Sequence, residues 1–60
     1  MAKWMLPVEI IISRAVHRQW AATVFVAGIL LACLIGASKR EAVENAETWL
    51  REHGAKEVSE

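Results

Sequence analysis

Residues 19–38 read QWAATVFVAGILLACLIGAS, a run without a single charge, closed by Arg18 on one side and by Lys39 and Arg40 on the other. As a helix rising about 1.5 Å per residue, a run of this length extends roughly 30 Å, the thickness of a bilayer's hydrocarbon core. The stretch 19–38 is therefore expected to be a single transmembrane helix. The competing reading is a helix buried inside a soluble protein. It is the weaker one, because the remaining residues offer too little apolar surface to wrap such a helix.

Sixty residues allow one small unit, and domains of this size are marginal without staples. Cys33 is the only cysteine, so no intramolecular disulfide can form. His17 and His53 lie far apart without cysteine partners, and no metal site is expected. Net charge is zero, but three cations oppose one acid before the run and four oppose six after it. Arg14 and Arg18 balance Lys39 and Arg40 at the run's two ends, so the acidic tail decides the orientation and places the N-terminus on the positive-inside side. No basic patch is interleaved with aromatics, which excludes nucleic acid as an expected partner.

Upstream, residues 1–18 are expected to form an interfacial segment. Trp4 beside Lys3 suits a bilayer surface, and Pro7 suits the first turn of a helix. Glu9, Ser13 and His17 share a helical face at four-residue steps. Ile10, Ile11 and Ile12 in a row also suit a strand, but a lone strand at a membrane has no partner. Arg14 and Arg18 fit a mitochondrial presequence and Glu9 does not; a secretory signal is excluded by the length of the apolar run. The chain, which starts at Met1, is read as unprocessed.

Within the run, Gly28, Ala32 and Gly36 fall four apart and would line one helix face as a small-residue seam for a neighbouring helix. Trp4, Arg18, Trp20, Lys39 and Arg40 would sit at the membrane interface. Thr23 would bond its own helix backbone, and Cys33 would be a small hydrophobe. Gly36 to Ser38 marks either a break, with one helix ending at Gly36 and the next starting at Ser38, or a point within one long helix that runs through. Ser38 with Glu41 has the spacing of a capping box, and Gly54 after His53 suits a helix end. An amphipathic helix is therefore expected over 39–54, with 55–60 frayed. Arg40–Glu44 and Glu47–Arg51 are spaced as ion pairs one turn apart. The apolar stripe of this helix includes Val43, Ala46, Trp49 and Leu50. It has no surface of its own chain to cover it, so it is expected to dock on a partner protein.

The fold class expected is thus all-α: one transmembrane helix, an interfacial N-terminal segment and a short amphipathic C-terminal helix. No catalytic constellation is present: the chain has no Asp and no Tyr, no phosphate-cradling loop, and no HExxH or CxxC. No catalytic, cofactor or metal residue and no small-molecule substrate is expected. An ionisable residue inside the run would signal transport, and the run has none. Two classes remain, an accessory subunit of a large membrane complex or a free regulatory single-span peptide.

The layout resembles small single-span supernumerary subunits of mitochondrial energy-converting complexes, and most of all fungal ATP synthase subunit k. The residues that carry the resemblance span 12–53: His17 before the run, the exit Gly36-Ala37-Ser38-Lys39-Arg40, and the acidic lead into an apolar-aromatic segment from Glu44 to Leu50. The family's spans are richer in glycine, and residues 1–11 are longer and more apolar here. The resemblance implies a non-catalytic accessory subunit of the mitochondrial inner membrane that supports assembly, dimerisation or stability of the ATP synthase membrane sector. Its partners would be membrane subunits and the lipid bilayer. Single-span subunits of complex I, the cytochrome bc1 complex and cytochrome oxidase share the same plan.

Overall fold

The structure, a computed structural model, describes residues 3–57. It corrects the expected fold class. The chain runs through three strands, β1 (Val8–Arg14), β2 (Trp20–Val26) and β3 (Ile29–Gly36), and then one helix, α1 (Lys39–Glu52). The strands form an antiparallel sheet in the order β1-β2-β3, and α1 packs on one face of it. No helix among the described residues is long and apolar enough to cross a membrane.

The uncharged run is a hairpin rather than a spanning helix. It folds back at Ala27 and Gly28, which both take positive φ, 51° and 79°. A two-residue turn of that hand matches the right-handed twist of the strands it joins. β2 favours a strand, being largely β-branched or aromatic (Trp20, Thr23, Val24, Phe25 and Val26), whereas β3 has only Ile29 and Ile35 of that kind and takes its form from pairing with β2. β2 and β3 pair through Ala22↔Leu34, Thr23↔Cys33 and Val24↔Ala32. A register shift then leaves Leu31 without an opposite residue before Phe25↔Leu30. The isoleucine run has the partner it was expected to lack, since Ile10, Ile11 and Ile12 lie opposite Val24, Thr23 and Ala22. His17 and Arg18 make the turn between β1 and β2, again at positive φ (57° and 60°). That turn is closed by Gln19 N–H to the Val16 carbonyl (3.2 Å) and Ala15 N–H to the Gln19 carbonyl (2.9 Å).

The core lies between the sheet and α1. Ala22 and Val24 of β2 meet Ala42, Ala46 and Leu50 of α1, with Val8, Ile10, Ile12, Val26 and Leu34 around them. The helix comes very close to the sheet at Gly36. A Cβ built there would lie 2.8 Å from Ala42 Cα and closer still to the Ala42 amide nitrogen. The expected seam of Gly28, Ala32 and Gly36 therefore does not exist as a helix face. Gly28 is a turn residue, Ala32 and Gly36 belong to β3, and Gly36 meets this chain's own α1. The expected docking stripe is corrected in the same way. Ala46 and Leu50 are buried on the chain's own sheet, with Val43 and Trp49 half-buried at the margin.

α1 starts at Ser38, whose Oγ accepts from Glu41 N–H at 3.1 Å. Glu41 reaches back to accept from Ala37 N–H at 3.3 Å. The helix stops at His53, and Gly54 follows at a φ of 87°. Beyond it the chain returns to the N-terminal segment rather than fraying. Trp4 and Glu57 form an isolated antiparallel bridge, Met5 N–H donates to the Lys56 carbonyl at 3.0 Å, and Arg51 pairs with Glu57 while lying over the Trp4 ring. Residues 58–60 of the expected frayed tail lie outside the described residues.

Candidate functional site

Two layers make the whole fold, which is why its shortest extent is 16 Å. One face of the sheet is therefore left without a covering element among the described residues. Alternation along each strand decides which side chains stand there. The helix side takes Val8, Ile10 and Ile12 from β1, Ala22, Val24 and Val26 from β2, and Leu34 from β3. The residues between them point the other way. The pairing sets them in three rows: Glu9–Phe25–Leu30, Ile11–Thr23–Cys33 and Ser13–Ala21–Ile35.

This open face is apolar across most of its width. Ile11 is 45 % exposed, Leu30 58 % and Ile35 45 %, while Ala21 is buried at 7 %. Of its residues only Glu9 carries a charge, and it sits on the β1 side. Thr23 Oγ1 donates to Cys33 Sγ at 3.7 Å across the middle row. A face of this character is unusual on a small monomer, where contiguous apolar patches mark sites of association.

The two sheet edges differ. β1 follows Pro7 and carries Glu9 and Arg14, features that discourage pairing with another strand. β3 carries neither charge nor proline. Among the described residues no strand pairs with its outer side. One acceptor at its far end is occupied, because Asn45 Nδ2 donates to the Ile35 carbonyl at 2.9 Å.

The residues expected at a membrane interface fall elsewhere. Trp20 packs at the margin of the core between two cations, with the Arg14 guanidinium 5.1 Å and the Lys39 ammonium 4.7 Å from its ring centroid. Trp4 belongs to the core margin at the other end, Arg18 to the β1–β2 turn, and Arg40 pairs with Glu44 on the exposed side of α1 at 3.4 Å. Arg51 pairs with Glu57 beyond the end of the helix. The subunit k motifs are divided likewise. His17 is a turn residue, Gly36 to Arg40 joins β3 to α1, and Glu44 to Leu50 lies inside α1. The shared single-span layout is replaced by a sheet.

Chemistry finds little to use. Among the described residues no three His, Cys, Asp or Glu side chains gather as metal ligands. His53 stacks on Trp49 with ring centroids 4.1 Å apart, and its Nδ1 lies 2.8 Å from the Trp49 carbonyl oxygen. Those two rings, with Leu6 and Leu31, line an apolar cleft of about 150 Å³ that has no charged group to orient a ligand. The sequence hides the open face because its residues divide between the expected interfacial segment (Glu9, Ile11, Ser13) and the expected membrane helix (Ala21, Thr23, Phe25, Leu30, Cys33, Ile35). The signal that could have revealed it is the β-branched and aromatic content of β2, before Ala27-Gly28, together with the isoleucine run of β1. Comparison with family models, curated proteins and solved structures finds no match to this chain, so its own surfaces are what speak to its function.

Proposed function

We propose that this chain is a non-catalytic interaction module that holds another polypeptide on its open sheet face. The observation that carries this reading is the row structure of that face. Ile11, Phe25, Leu30 and Ile35 set apolar side chains around Thr23 and Cys33, with one charge at the margin. A partner segment with apolar side chains on one side gains by removing this surface from water, at about 25 cal/mol per Å² buried. The reading keeps the accessory, non-catalytic role expected from the sequence and names no host complex, because a hairpin over 19–38 leaves the span that suggested one without a basis.

A photocrosslinker placed at position 35, compared with one at position 48 on the exposed side of α1, tests it in cells that express the tagged chain. A discrete adduct is expected from position 35 and not from 48. Excess untagged chain should abolish it, and excess chain carrying Leu30→Glu with Ile35→Glu should not. Equal adducts at both positions, or loss of the adduct with the doubly substituted competitor as well, would sink the reading.

A further inference from the structure

We propose that two copies of this chain pair antiparallel along the outer edges of β3, about a two-fold axis at Cys33, to make one six-stranded sheet. This goes beyond the reading of the open face, since it concerns the edge of the sheet and not its surface.

The geometry of the edge points to it. Carbonyl groups of a strand lie in the plane of the sheet. Asn45 stands on the exposed flank of α1, and its side chain reaches the Ile35 carbonyl. That carbonyl must therefore point away from β2. Backbone groups alternate along a strand, so Cys33, two residues before Ile35, also turns its N–H and C=O outward. Those groups have no pairing strand among the described residues. The register shift at Leu31 confines regular pairing to the last part of β3. Antiparallel self-pairing of that part sets Cys33 against Cys33 of the second copy, with two reciprocal N–H to carbonyl bonds, and Ala32 against Leu34 on either side.

Charge favours a second copy as the occupant. Like charges opposite one another oppose pairing, and β3 has none, so it can meet itself without repulsion. β1, with Glu9, Arg14 and the preceding Pro7, is the edge guarded against this. Area sets the strength. A single edge pair of about three residues buries less than the roughly 1,200 Å² at which standard interfaces begin, so the dimer belongs to the transient class. The two-fold axis stands perpendicular to the sheet. It therefore brings both helices to one side and fuses the two open faces on the other.

Sedimentation velocity of the whole chain from about 10 μM to about 1 mM, the span proper to a transient interface, reads the outcome. The average mass should climb toward twice that of the monomer. Cys33→Lys sets two like-charged side chains directly opposite each other, on Cα atoms about 5.5 Å apart across the axis, and should hold the chain monomeric, with its circular dichroism unchanged. Ile11→Lys lies on the open face away from β3 and should leave the dimer intact, whereas a dimer joined face to face would lose it. As a second readout, a mild oxidant that takes two electrons and two protons from the paired thiols should give a covalent Cys33–Cys33 dimer in proportion to the non-covalent one. A chain that is monomeric throughout overturns the pairing, as does a dimer that survives Cys33→Lys or dissolves with Ile11→Lys. The photocrosslinker at position 35 can also catch the second copy, which shows as an adduct of twice the chain's mass; only an adduct of another mass bears on the open face, so the two proposals fail separately.

Discussion

The two faces of one sheet are built from the same kind of residue and end in opposite states. On the inner face, small residues let backbones touch. Gly36 lies against the amide of Ala42, and Ala22, Ala42 and Ala46 are fully buried. On the outer face, larger residues such as Ile11, Leu30 and Ile35 stand half in water. Hydrophobicity alone does not decide which face closes. Fit against α1 does, because a helix gains its packing energy only where it can approach closely.

The largest expected effect comes from spoiling that approach. Gly36→Val forces side-chain atoms into the backbone of Ala42, which cannot move without dragging the first turn of α1. It is expected to cost about 3 kcal/mol or more, a large share of the stability of a domain this small. Urea denaturation followed by circular dichroism checks this. An unchanged midpoint would mean that α1 does not pack on β3 at Gly36.

Next comes a pair of truncations that sets the faces side by side. Leu50→Ala removes a side chain only 2 % exposed and should cost about 3 kcal/mol. Ile35→Ala on the outer face should change stability by no more than about 0.5 kcal/mol when measured on dilute chain. Equal losses would show that the outer face is also covered within the monomer.

The smallest effect concerns the turn that separates β2 from β3. Ala27 occupies a left-handed conformation that disfavours a Cβ-bearing residue, and asparagine tolerates it better. Ala27→Asn, which places Asn before Gly28, is expected to raise stability by about 0.5 to 1 kcal/mol and to leave both faces as they are. Thermal unfolding should show a small upward shift in midpoint. A fall would mean that the turn does not have the geometry described.

α1 was legible from the sequence at nearly every point. Ser38 with Glu41 marked its start, Gly54 its end, and Val43, Ala46, Trp49 and Leu50 its apolar stripe, of which Ala46 and Leu50 are buried. These are local signals, spaced within one or two turns, and hold whatever the stripe meets. The hairpin was not legible. A strand usually betrays itself by alternation of apolar and polar residues. In β2 and β3 both sides are apolar, so the period of two leaves no trace and the run reads as continuous. Its turn is built on Ala-Gly and the preceding one on His-Arg, neither of them the strongest turn signal. The open face was thus hidden by the very property that makes it a candidate site.

By its own residues, then, the chain determined a helix with an apolar stripe, an uncharged run before it, and an end to both at Gly36 to Ser38 and at Gly54. What the stripe covers, and whether the run spans or folds back, was settled only by contacts between residues distant in sequence. Ile12 meets Ala22, Ala22 meets Leu34, and Gly36 admits the backbone of Ala42. A strand has no internal hydrogen bonds to commit it, so its identity is decided by the neighbour that supplies them, and that neighbour exists only once the chain has folded.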